Sequence, residues 1–213
     1  MCAEFTPRGA SIARGCRAPA VEALSGMQRA DPVPVGACDI VARMDDTRAL
    51  LVHFLATLAY RTQKALRGAP PTFGTFSAGH DVRTPAELVR HMTGVLGYAR
   101  TCFIGGRYRA EALPDLEAEV LRFHGMLVSL AGHLATGEPL LGVTAEQLLQ
   151  GPFSDAMTHA GQLALLRRLA GVPVAPENFI EAEVSPSTLG PDQPRPRSPD
   201  RLWPEAPPGW TPE

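Results

Sequence analysis

The stretch Asp115–Ala135, DLEAEVLRFHGMLVSLAGHLA, decides the fold. Leu116, Val120, Phe123, Leu127, Leu130 and Leu134 recur at alternating spacings of four and three. That period places six apolar side chains in one stripe of an α-helix, the seam of a helix packed in a bundle. Gly137 and Pro139 follow and stop it.

Three further segments share the pattern. From about Asp46 to Arg67, Leu51, Phe54, Leu55 and Leu58 form an apolar stripe. His53, Thr57, Tyr60 and Lys64 fall on another face, and Gly68 with Pro70-Pro71 ends the helix. The next begins at Thr84-Pro85-Ala86-Glu87, where Thr84 and Glu87 read as a capping box and Pro85 sits at the first helical position. Leu88, Met92, Val95, Leu96, Ala99 and Phe103 carry its period to Gly105-Gly106. The last opens with a second capping box at Thr144–Gln147 and is interrupted at Gly151-Pro152. It then runs from about Pro152 to Ala170. No strand pattern stands between these segments. The reading is all-α, a four-helix bundle.

Composition sets the limits of the bundle. Proline (21) and glycine (20) make about a fifth of the 213 residues, against about an eighth in average chains. Nine of the prolines lie between Glu183 and Glu213. Three parts follow: an irregular or disordered N-terminal extension over 1–43, the bundle over 44–182, and a Pro-rich extended tail over 183–213. Proline-rich sequence builds no core of its own. Trp203 and Trp210 are both in that tail, and large aromatics are depleted in disordered segments. At least one is expected to dock on the bundle. Met27 and Met44 could each serve as an alternative start, and since Met44 precedes Asp45-Asp46, a helix-capping pair, the folded unit is expected to begin there.

Charge and hydropathy exclude several partners. Twenty basic and 22 acidic residues give a net charge of −2, which does not suit general nucleic-acid binding. No run of 18 apolar residues would span a membrane, and residues 1–43 lack a secretory apolar core. Cys2, Cys16, Cys38 and Cys102 form no metal-type spacing, as free thiols of a cytoplasmic protein would. Cys102 reads as an inert buried thiol, since no base is placed beside it.

The chemistry must come from few residues. His91 lies three after Leu88 and four before Val95, so it shares the inward face of its helix. A satisfied core histidine is the bland reading. Asp155 and His159 are four apart on one face of the last helix, and Gln162 continues that face. Asp155 could serve as a first-turn helix charge. Alternatively His91, Asp155 and His159 converge. Two imidazoles and a carboxylate suit a divalent transition metal such as Zn, Ni, Fe or Mn, with positions left for water or substrate. Gln162 would then orient a ligand or bound water, or simply pack. His53, His80, His124 and His133 read as surface or boundary residues. Arg167 and Arg168 read as solvated cations at a helix C-terminus.

Two stretches resemble a known family. TPAELVRHM (84–92) resembles the second-helix motif of the DinB-like (DinB/YfiT-type) superfamily. DAMTHAGQLALLRRLAG (155–171) resembles its fourth-helix motif more strongly. The match covers roughly residues 45–180. It implies an up-down-down-up bundle with a metal between helices. Members use a histidine of helix two and an H-x-x-x-H pair on the last helix, which fall here on His91, Asp155 and His159. Asp155 departs from the first histidine of that pair, as in relatives resembling mycothiol-dependent maleylpyruvate isomerase. The resemblance implies a metal that activates a low-molecular-weight thiol, in an S-transferase or isomerase acting on a small-molecule substrate. Homodimerisation through exposed helix faces is an expectation carried by the resemblance alone.

Other readings stay open: a bundle that binds metal or a small ligand without catalysis, as a stress-related protein would; a non-haem iron oxygenase; and a structural bundle whose His91 and Asp155 only form hydrogen bonds.

Overall fold

A computed structural model describes residues 46–197 together with 206 and 208. The start expected at Met44, the N-terminal extension and both tryptophans lie outside the described residues. Four long helices form: α1 (Asp46–Leu66), α2 (Pro85–Ile104), α3 (Leu116–Ala135) and α5 (Ser154–Leu169). A short α4 (Ala145–Leu148) leads into α5 through one π-helical turn, Leu149–Phe153. No strand occurs among the described residues.

Local chemistry fixes the helix starts as the sequence predicts. Thr84 Oγ1 accepts from the Glu87 amide, while the Glu87 carboxylate accepts from the Thr84 amide at 2.9 Å. Thr144 and Gln147 repeat this reciprocal pairing at α4. Asp115 caps α3 by accepting from Ala118 N at 2.9 Å. Each cap of this kind contributes about 1 kcal/mol. Gly105 closes α2 with φ 73°, a left-handed backbone that glycine adopts without a steric cost. At the interruption, Gly151 leaves helical geometry (φ −90°, ψ −105°) ahead of Pro152, and the chain resumes as α5 without an intervening loop.

The four stripes meet in one core. Leu55 and Leu58 of α1, Met92 and Leu96 of α2, Phe123, Leu127, Leu130 and Leu134 of α3, and Leu163 of α5 are all fully buried. Phe153 of the π-turn joins them, stacked on Phe54 at 6.2 Å between centroids. Around the bundle the main neighbours run α1–α3–α2–α5 and back to α1. Consecutive helices α1 and α2 therefore sit diagonally.

Side chains sew the connections to this core. Arg48 of α1 donates to Glu138 O at 2.7 Å, just past the end of α3. Arg167 corrects the sequence reading. It is not a solvated helix-end cation but a buried guanidinium, 5% exposed. It donates to the carbonyls of Ala65 (3.2 Å), Arg67 (3.0 Å) and Val172 (2.8 Å). It thus caps the C-terminal end of α1, whose last carbonyls have no partners within their own helix. Burial holds the Arg167 pKa below its ordinary value. Tyr60 and Lys64, on the second face of α1, are not left to solvent. Both bind Glu177, and Lys64 also donates to Ala175 O at 2.7 Å.

The first part of the proline-rich tail packs against the bundle. Leu189 is buried, and its carbonyl lies 2.7 Å from Nδ1 of His124, itself 2% exposed. Arg67 donates to Gln193 O at 2.8 Å. Composition alone favours an extended solvated tail; Leu189 supplies an apolar anchor and the arginine meets the tail's carbonyls.

Candidate metal centre and its cleft

α2 and α5 are neighbours, and each contributes to one cluster. His91 stands on the second turn of α2, where the Thr84–Glu87 cap sets the helix phase. Asp155 and His159 stand one turn apart on α5. The π-turn and Pro152 fix where α5 begins, and so fix the height of Asp155 along the bundle. The ligand-type atoms of His91, Asp155 and His159 all lie within 4.8 Å of one another. This group could hold a metal ion.

Burial grades across the group. His159 is buried, His91 half-buried, and the Asp155 side chain is half-exposed. Asp155 therefore sits at the mouth rather than in the bundle interior, where an unpaired carboxylate would be costly to bury. The His91 and His159 rings meet edge to face, with centroids 4.7 Å apart. His91 has its pKa lowered, first by burial, then by the guanidinium of Arg83 and by His159, with Asp155 opposing. A neutral imidazole is the form that binds metals.

Hydrogen bonding orients His159. Its Nδ1 lies 2.7 Å from Oε1 of Gln162 and donates to it. In the neutral imidazole the lone pair is then on Nε2, which faces Oδ1 of Asp155 at 3.4 Å. Two acceptors so placed repel each other unless a proton or a cation lies between them. Ligands bound to one ion at 2.0–2.2 Å in a tetrahedron stand roughly 3.3–3.5 Å apart. The His159–Asp155 pair has that spacing. The donor set, two nitrogens and a carboxylate oxygen, fits a divalent transition metal.

The group opens into a cleft of about 1480 Å³. One wall is α2 from Glu87 to Tyr98, the other the π-turn and the start of α5. Loops before and after α2 complete it. In the first, His80 (φ 53°) and Asp81 (φ 56°) follow Gly79 in left-handed backbone, closed by a hydrogen bond from Val82 N to Gly79 O at 3.1 Å. In the second, the Tyr108 ring packs against Gly97, where a Cβ would come within 1.9 Å of it. Buried Glu119 accepts from Leu113 N at 2.9 Å and ties this loop to α3. The sequence reading missed Glu119 and Tyr108. Glu119 falls four before Phe123, on the apolar stripe, and that placement was its signal.

The remaining histidines stay outside the cluster. His80 lines the cleft rim, and His53 is exposed. His133 stacks on Phe103 and bonds Glu138 at 2.7 Å. Cys102 is buried, and burial pushes its thiol pKa up, away from the reactive thiolate. No helix among the described residues is long and apolar enough to cross a membrane. No family model, curated protein or solved structure matches the chain.

Proposed function

We propose that the chain is a DinB-like bundle of up-down-down-up topology. In this reading it is a divalent-metal-dependent enzyme that works with a low-molecular-weight thiol as an S-transferase or isomerase. The cyclic neighbour order α1–α3–α2–α5 supports the topology. One observation carries the metal reading: the Nε2 lone pair of His159 is turned by Gln162 toward Asp155 Oδ1, with His91 completing the group.

In this reading His91 and His159 bind through neutral imidazoles and Asp155 through its carboxylate. Gln162 holds the His159 ring from behind, as partners of metal-bound histidines do. A metal bound there supplies Lewis acidity, which lowers the pKa of a thiol or water. The chain's own contribution is orientation of the ligands and a cleft wide enough for a thiol and a small electrophile. The alternative for Asp155, a first-turn helix charge, would have a proton bridge the facing atoms as a His159–Asp155 ion pair, without His91 taking part.

A non-catalytic metal- or ligand-binding bundle is the second reading, favoured by the width and openness of the cleft. Screening the metal-loaded protein against several thiols and electrophiles separates the two. Turnover that His159→Ala abolishes supports the enzyme. Stoichiometric metal with no turnover across the screen supports the binder.

A further inference from the structure

Arg83 stands where a metal site alone has no use for it. It belongs to the cleft wall that also carries His91 and Asp155. A guanidinium beside a cation site repels the cation and weakens its binding. Two other arginines face the same cleft. Arg90 has Glu87 as a partner at 4.0 Å, and Arg109 has Glu111 at 3.1 Å. Arg83 forms no ion pair among the described residues.

The nearby carboxylates are otherwise placed. Glu87 is held by the amide and hydroxyl of Thr84. Asp155 faces His159. Asp81, exposed on the same rim, and Glu87, whose pKa Arg83 helps to lower, are the acidic groups that share this side of the cleft with Arg83.

The backbone sets where the exposed Arg83 leaves the chain. Arg83 immediately precedes the capping residue Thr84 and follows the turn built on Gly79, His80 and Asp81. Left-handed backbone at two successive non-glycine residues is costly and tends to persist at ligand sites. It is retained here in the segment that delivers Arg83 to the cleft.

We propose that Arg83 makes the open side of this cleft a carboxylate subsite, so that the molecule met by the His91–Asp155–His159 group is a small carboxylate-bearing compound. The planar guanidinium fork suits a carboxylate in two-point contact. A bound anion would offset the repulsion between Arg83 and the metal. The inference rests on the metal reading above for what the second end of the ligand meets, while the anion contact itself depends on Arg83 alone.

Calorimetric titration of the full-length, zinc-loaded protein with succinate, and with the uncharged isostere succinamide, tests it. Succinate should bind at least tenfold tighter than succinamide. Arg83→Gln should weaken succinate at least tenfold, Arg83→Lys should restore part of the loss, and Asp81→Asn should tighten it. Zinc itself should bind Arg83→Gln severalfold more tightly. Equal succinate affinity in wild type and Arg83→Gln, or no preference over succinamide, overturns the subsite. Wild type that takes up zinc yet ignores succinate contradicts the subsite alone. Wild type that takes up no zinc but binds succinate through Arg83 contradicts the metal reading and supports the subsite.

Discussion

Nε2 of His159 faces Oδ1 of Asp155 at 3.4 Å across one turn of α5. The contact has meaning because of what holds the other side of the ring. Gln162 Oε1 accepts a hydrogen bond from Nδ1–H, which in the neutral ring leaves the Nε2 lone pair toward the carboxylate. One helix thus presents two acceptors, and His91 of the neighbouring helix adds a third.

Gln162 should therefore matter to metal affinity though it is exposed and does not line the cleft. Gln162→Leu is expected to weaken zinc binding roughly tenfold, in the range typical of partners behind metal-bound histidines. Competition against a chromophoric chelator measures this. Unchanged zinc affinity would assign Gln162 a surface role only.

Arg167 should be a stability residue. Arg167→Met removes the donors of Ala65 O, Arg67 O and Val172 O. Stranding these carbonyls should cost about 2–4 kcal/mol. Urea unfolding would show a lower midpoint with an unchanged slope. Arg167→Lys should recover part of the loss, because one ammonium reaches fewer acceptors than the fork.

Gly97→Ala tests the seat of Tyr108. The new Cβ would meet the ring at 1.9 Å, so the ring and its loop must move. Overpacking of this kind costs about 1–3 kcal/mol. In a Tyr108→Ala background the same substitution should cost little, and denaturant titration of the four variants yields the coupling.

His124 should make the bundle acid-sensitive. Burial lowers its pKa from the ordinary 6.5, with the Leu189 carbonyl partly opposing. Its Nε2 is buried without a partner, so a second proton there is poorly accommodated. The unfolded chain then binds more protons than the folded one below about pH 6.5. This contribution to stability is fully present above that pH and is lost as pH falls through it. Melting temperatures at pH 7.5 and 5.5 should differ more for wild type than for His124→Gln. An equal drop in both would assign the sensitivity elsewhere.

Much of the fold is legible before any coordinates. The four-three spacing of Leu116 to Leu134, the capping boxes at Thr84 and Thr144 and the break at Gly151-Pro152 are local signals, and local signals survive packing. The site was legible in part for the same reason. Spacing puts Asp155, His159 and Gln162 on one face and His91 on an inward one. Sequence does not say which helices are neighbours, and their convergence depends on α2 lying beside α5.

Long-range polar contacts were not legible. Arg167 reads as a helix-end cation until its place on the stripe of Ala156, Ala160 and Leu163 is weighed, and even then most of its partners are at the end of α1, about a hundred residues away. His124 looks like a boundary residue because Leu189, which covers it, belongs to a segment whose composition argues for solvent. Arg83 carries no motif; only the shape of the cleft gives it a neighbour.

The central claim is that three side chains from two helices bind one divalent ion. Metal analysis of untagged wild type, after equilibration with zinc and gel filtration, tests it most directly beside His91→Ala, Asp155→Ala and His159→Ala. Near one equivalent per chain in wild type, with each variant sharply reduced while still folded, is the predicted result. Less than a tenth of an equivalent in wild type, or the same content in wild type and His159→Ala, would contradict it.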